Sequence, residues 1–195
     1  MVDARIVQSR TAREVEELAD NARGILGLAP GDRVSMTPLL EQVLYDLIDD
    51  YEFIVEEDRV MGRLDGLTDC QLPIIRLRAG VYHALQRSDP RARMTAAHEF
   101  GHLLMHCGLP SYRAKTDVYQ PLFDPERQAN IFAAAFLMPR EAFLRCRTIR
   151  EAQRKFGVSM DAVMCRARKL RHRFEPDRPV LSISKKKGHD MRRAP

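Results

Sequence analysis

Apolar side chains between residues 11 and 28 fall at Val15, Leu18, Ala19, Ala22, Ile25 and Leu26. This is the spacing of one helix face, and Pro30-Gly31 then stops the run. A second helix is predicted from Thr37 and Pro38, which suit an N-cap and a first helical position, through Leu39, Leu40, Val43, Leu44, Leu47 and Ile48 to about Asp50. Two short runs, 52–56 (EFIVE) and 74–77 (IIRL), are rich in β-branched and aromatic residues, with Gly62, Gly66 and Pro73 between them. They predict a small antiparallel sheet.

Further along, the pattern changes character. Residues 91–107 (RARMTAAHEFGHLLMHC) place Met94, Ala96, Ala97, Phe100, Leu103, Leu104 and Met105 nearly all round a helical wheel, and ERQANIFAAAFLMP does the same between Asp124-Pro125 and Pro139. A helix apolar on every side is a buried helix. Both segments carry polar residues that a core excludes unless they are partnered, so those residues need a reason to be there.

Composition narrows the setting. A chain of 195 residues with 45% hydrophobic content is expected to form one principal domain. It contains no run of eighteen apolar residues, and its N-terminus bears Asp3 and Arg5. Neither a membrane span nor a signal peptide is expected, and the predicted location is the cytoplasm. Cys70, Cys107, Cys146 and Cys165 form no C-x-x-C pair and read as ordinary thiols of a reducing compartment. The net charge of +5 is uneven: from Arg140 onward there are 17 Lys and Arg against 6 Asp and Glu, while the remainder carries an acidic surplus of 6. A basic end of this kind can meet nucleic acid or an acidic partner, and a solvated helix face with a basic tail gives the same count.

The polar residues in the first buried segment spell H-E-x-x-H. His98 and His102 stand one turn apart on one face, so both imidazoles can reach a single cation, and Glu99 projects toward the same cleft. Zinc lowers the pKa of its water to about 7, and the carboxylate takes the proton as the nucleophile attacks a carbonyl. A helix with two surface histidines and a solvated glutamate is the bland alternative, and the apolar surroundings disfavour it. A third protein ligand is required. His106 cannot supply it: eight residues span about 12 Å of helix rise, which leaves it a supporting or capping role. The glycine and histidine of the longer H-E-x-x-H-x-x-G-x-x-H pattern would fall on Met105 and Gly108. Glu126, with Asn130 one turn on, suits a ligand and a residue that orients a ligand histidine. By spacing it serves equally well as an acid at a helix N-terminus. Asp117, Asp124 and Cys107 stand as alternatives.

The two segments RARMTAAHEFGHLLMH and ERQANIFAAAFLMP, with IIRLRAGVYHALQRSDP before them, resemble the signature of the ImmA/IrrE metallopeptidases. The resemblance covers about the middle third of the chain. It implies an α+β, mostly helical zincin-like domain, Zn2+ as cofactor, and a glutamate from the later helix as third ligand, which by position is Glu126. It also implies cleavage of a helix-turn-helix transcriptional repressor, releasing genes of a mobile element or a stress response. Residues 148–170 read as two helices about Gly157-Val158-Ser159, with a capping box from Thr148 and Glu151 and a cap from Ser159, and resemble the helix-turn-helix-like element that follows the family's catalytic helices. The chain ends soon afterwards, as in the short ImmA-type members.

The expected organisation is a metallopeptidase domain over 1–145, the helix-turn-helix-like element over 146–183 and a basic, disordered tail over 184–195. Two competing functions differ in class. A DNA-binding regulator would use Arg166, Arg168, Lys169, Arg171 and Arg173 on phosphates and would not need Glu99. A peptidase-like scaffold would bind the repressor without cutting it. Direct DNA binding is the less favoured of these. Tyr112, Tyr119 and His106 are candidates for stabilising the oxyanion.

Overall fold

Both apolar segments become helices that start in the same way. Asp89 accepts from the backbone N–H groups of Arg91 and Ala92 to cap Pro90–His106, and Asp124 accepts from Glu126 and Arg127 to cap Pro125–Leu137; each helix carries proline in its first turn. In this computed structural model, which describes residues 2–107, 112–116 and 121–176, the two helices lie against each other through the centre of the core. Phe100 meets Phe132 and Phe136 with ring centroids 5.6 and 5.3 Å apart, edge-on contacts worth about 0.5–1.5 kcal/mol each beyond simple burial. Gly101 permits the close approach, because a Cβ there would stand 2.9 Å from Phe132 Cδ1.

The first helix, Ala12–Ile25, packs Val15, Ala19 and Ala22 inward. Thr11 and Glu14 form a reciprocal capping box at its start. Ile25 was expected on its apolar face but is 74% exposed at the last position. The next helical run begins two residues earlier than predicted, with Ser35 in place of Thr37 at the N-cap and Met36 in place of Pro38 at the first helical position, because Met36 itself is core. It passes through Met36–Pro38, a π-helical turn at Leu39–Val43, and Leu44–Leu47.

The sheet differs from expectation in one respect. Strands β2 (Glu52–Glu56), β3 (Gly66–Asp69) and β4 (Ile74–Arg78) are ordered β2-β4-β3, with β4 parallel to β2 and antiparallel to β3. The sheet is therefore mixed rather than antiparallel throughout. The hairpin from β3 into β4 occupies one side of β4, and β2 joins the other side running in the same direction. Ile74, Ile75 and Leu77 are buried on both faces of the central strand. A second pairing was not predicted: β1 (Val2–Ile6) lies antiparallel to β5 (Tyr112–Thr116).

The C-terminal helices, Ile149–Phe156 and Met160–Leu170, and Val158 in the turn between them contribute to the same core as the motif helix, the helices through Ala152, Phe156, Val163 and Ala167. Arg93 fastens them there. It is 3% exposed and donates to the carbonyls of Gly157, Phe156 and Val34 at 2.9, 3.1 and 2.8 Å. Burial lowers its pKa to about 10, and those carbonyl partners offset the cost of burying the charge. Ser159 caps the second helix as expected. The capping box at Thr148 is only half formed: Thr148 Oγ1 accepts from Glu151 N, but the Glu151 carboxylate accepts from Arg147 N instead of Thr148. The tail at 184–195 lies outside the described residues. Among those described, no helix is long and apolar enough to cross a membrane.

Candidate metal centre

The motif helix sets His98 Nε2 and His102 Nε2 3.0 Å apart. The first turn of the second buried helix brings Glu126 to meet them, with Oε2 3.2 Å from His98 Nε2 and Oε1 3.3 Å from His102 Nε2. One donor atom from each residue lies within 4.8 Å of the others, an arrangement able to hold a metal ion. Two neutral nitrogens and a carboxylate suit a divalent cation. Ligand atoms bonded tetrahedrally at about 2.0–2.1 Å stand about 3.3–3.4 Å apart, close to the spacing here. The histidines are largely buried and Glu126 is mostly exposed, so the trio sits at the wall of an open cleft of about 470 Å³. Electrostatics follow the geometry. Hydrogen bonds from His102 and then His98 hold the Glu126 carboxyl well below the usual range. Burial pulls the His98 pKa down, but the bond to Glu126 and the nearby carboxylates outweigh it and leave it raised. Asn130 also hydrogen-bonds His98.

Glu99 lies beside the trio and is 6% exposed. Burial pushes its pKa up, and the hydroxyl of Thr68 draws it partly back. Thr68 Oγ1 sits 2.7 Å from Glu99 Oε2 and 3.0 Å from the Glu99 carbonyl. Gly66, two residues earlier on β3, leaves the room: a Cβ there would lie 2.7 Å from Glu99 Cγ and 2.8 Å from Oε1. Neither residue could be found from the sequence, because β3 is short and its glycine read as a turn.

His106 touches His102, not the cation position: the two Nδ1 atoms are 3.0 Å apart. Its Nε2 meets Gln128 Oε1 at 3.1 Å, and burial lowers its pKa to about 4. Gln128, unremarked in the sequence, is fully buried. Asp124 is used as a helix cap. Cys107 Sγ lies 2.9 Å from Cys70 Sγ, and that bond together with burial holds its thiol protonated, which makes it a poor ligand. Asp117 and Tyr119, and the side chain of Tyr112, fall outside the described residues. Arg166, expected among the phosphate-binding residues of the DNA-binding alternative, is 1% exposed; it is ion-paired with Glu16 and donates to the Met138 carbonyl at 3.2 Å.

No curated protein matches the chain. A family model described as Peptidase_M78, IrrE N-terminal-like domain, matches residues 81–168, a span that takes in His98, Glu99, His102, Glu126 and most of the C-terminal helix pair. Over residues 81–168 the chain is thus similar to the M78, or ImmA/IrrE, metallopeptidases, and the two buried helices carry the residues of that likeness.

Proposed function

We propose that the protein is a zinc-dependent endopeptidase that cuts a helix-turn-helix transcriptional repressor, with His98, His102 and Glu126 as zinc ligands and Glu99 as general base. The convergence of those three donor sets at an open cleft, with a buried carboxylate beside them, is the observation that carries this reading. When bound, zinc supplies Lewis acidity that makes water a nucleophile near neutral pH.

The chain's own groups account for the rest. Thr68 engages Glu99 Oε2, and Oε1 lies at Gly66, which lines the cleft. Glu99 can take a proton from the attacking water and pass it to the leaving amine. Its raised pKa brings it nearer the working pH, which favours both transfers. Asn130 holds the His98 ring, and Glu126 keeps its charge across the physiological range. Strand β3 lies at the edge of its sheet, with Gly66, Leu67 and Thr68 along the cleft. A substrate segment in extended form can pair with that edge and lay its peptide bond across the site. A protein substrate is favoured over DNA because the three metal donors and the buried Glu99 carboxylate suit peptide hydrolysis, whereas Arg166, one of the five cations the DNA-binding reading would use, is committed to the interior. The choice of a repressor rests on the family resemblance.

Incubating the zinc-loaded protein with the helix-turn-helix repressor encoded beside its gene, and following products by mass spectrometry, tests the proposal. Two complementary fragments from a single cut, suppressed by a chelator, are expected. A repressor that binds and stays intact would favour the non-cleaving scaffold.

A further inference from the structure

The face of the motif helix that carries His98 and His102 continues past the candidate ligands. Arg91, Thr95, His98 and His102 all line the open cleft, at steps of four, three and four residues. Arg91 lies two turns before His98, and at 1.5 Å of rise per residue the two stand about 10 Å apart along the helix. There the cleft adjoins a side pocket of about 250 Å³, which shares Asp65, Arg91 and Thr95 with it and is walled further by Arg78 and Asp89. Charge at this junction is unbalanced. Asp65 lies between two guanidinium groups: Oδ1 accepts from Arg78 Nη2 at 2.6 Å and Oδ2 from Arg91 Nη2 at 3.0 Å. Both carboxylate oxygens are therefore occupied, and the trio keeps one positive charge. Asp89 is engaged elsewhere, accepting from the backbone N–H groups of Arg91 and Ala92. Arg78 Nε is buried without a hydrogen-bond partner, and the Arg91 side chain is 84% exposed. Guanidinium donors outnumber carboxylate acceptors here, and a carboxylate is the group whose geometry matches them. The first turn of the motif helix adds a dipole of the same preference.

We propose that Arg91, with Arg78 across the shared Asp65, forms a specificity subsite that takes an acidic side chain, Glu or Asp, of the peptide substrate. This subsite rests on the endopeptidase activity proposed above. Asp65 immediately precedes Gly66, so the subsite lies at the start of the same β3 edge that borders the metal centre. An extended segment rises about 3.3 Å per residue, so a separation of about 10 Å places the acidic residue about three positions from the scissile bond. Arg91 is solvent-exposed and its attraction for an anion is screened by salt. Its effect is therefore on KM and on the choice of cut site more than on kcat.

Digestion of a mixed peptide library and of the neighbouring repressor by the zinc-loaded protein, with cut sites read by mass spectrometry, tests the subsite. Glu or Asp is expected at one position about three residues from the bond cut by the wild type. In a synthetic peptide of that sequence, exchanging the acid for its amide should raise KM by about 5–10-fold and leave kcat little changed. Arg91→Glu should move the preference at that position to Lys and Arg. Circular dichroism checks the fold of this variant, whose altered side chain is exposed. Wild-type cuts with no acidic preference at such a position overturn the subsite without requiring any variant to fold. Wild-type preference for Lys or Arg there assigns the pocket to Asp65 and overturns it equally, as does a folded Arg91→Glu protein with the wild-type pattern. The failure of the endopeptidase reading looks different: no chelator-sensitive cut in either the library or the repressor removes that reading and the subsite with it, whereas zinc-dependent cuts indifferent to acid overturn the subsite alone.

Discussion

Replacing Glu99 with glutamine is expected to lower peptide cleavage by at least about 10²-fold while zinc content and repressor binding stay at wild-type levels. Glutamine keeps the size of the side chain, and its amide can still meet the Thr68 hydroxyl that now sits 2.7 Å from Oε2. What it cannot do is accept a proton from water or return one to the leaving amine. Folding should not suffer, since a neutral amide replaces a carboxylate that burial already pushes toward its neutral form. The variant should therefore capture the repressor without cutting it. Mass spectrometry of the products, with metal measured on the same samples, distinguishes the possibilities. Near-normal cleavage by metal-loaded Glu99→Gln would remove Glu99 from proton transfer, and loss of zinc would identify it as a ligand.

The second large effect concerns Glu126. Truncation to alanine takes away the only carboxylate within 3.3 Å of the two histidine nitrogens among the described residues. Zinc affinity should fall by more than the roughly 10–100-fold that loss of an outer partner costs, and activity should fall with it. The fold should persist. Glu126 is mostly exposed, and the helix keeps its Asp124 cap and its buried Phe132 and Phe136. Chelator competition combined with circular dichroism checks both halves. Full zinc occupancy in Glu126→Ala would return this residue to the role of a helix N-terminal acid.

Much of this was legible because the strongest signals are local. The capping aspartates, the prolines in the first turns and the all-round apolar wheels of the two central helices sit within single stretches of sequence. So does the four-residue step from His98 to His102. The resemblance then singled out Glu126, which spacing alone had left undecided. The unreadable parts depend on distant partners. The pairing of β1 with β5 joins segments about 110 residues apart, for example Val2 with Thr116. Strand β3 has only four residues and opens on Gly66, whose missing side chain makes room for Glu99 33 positions later. Thr68 and Gln128 belong to no motif; each matters through one contact made across the fold, Thr68 with Glu99 and Gln128 with His106. The direction of β2 was likewise misjudged because its neighbour in the sheet is not its neighbour in the chain.

On the proposed reading, His98, His102 and Glu126 together hold the catalytic metal. X-ray data from crystals of the zinc-loaded protein, collected on both sides of the zinc absorption edge, locate the ion without relying on activity. A single anomalous peak per chain is expected within bonding reach, about 2.0–2.2 Å, of His98 Nε2, His102 Nε2 and a Glu126 carboxylate oxygen. A peak at other donors, such as the Cys70 and Cys107 thiols, or no peak at the three residues in protein that is active with zinc, would contradict it.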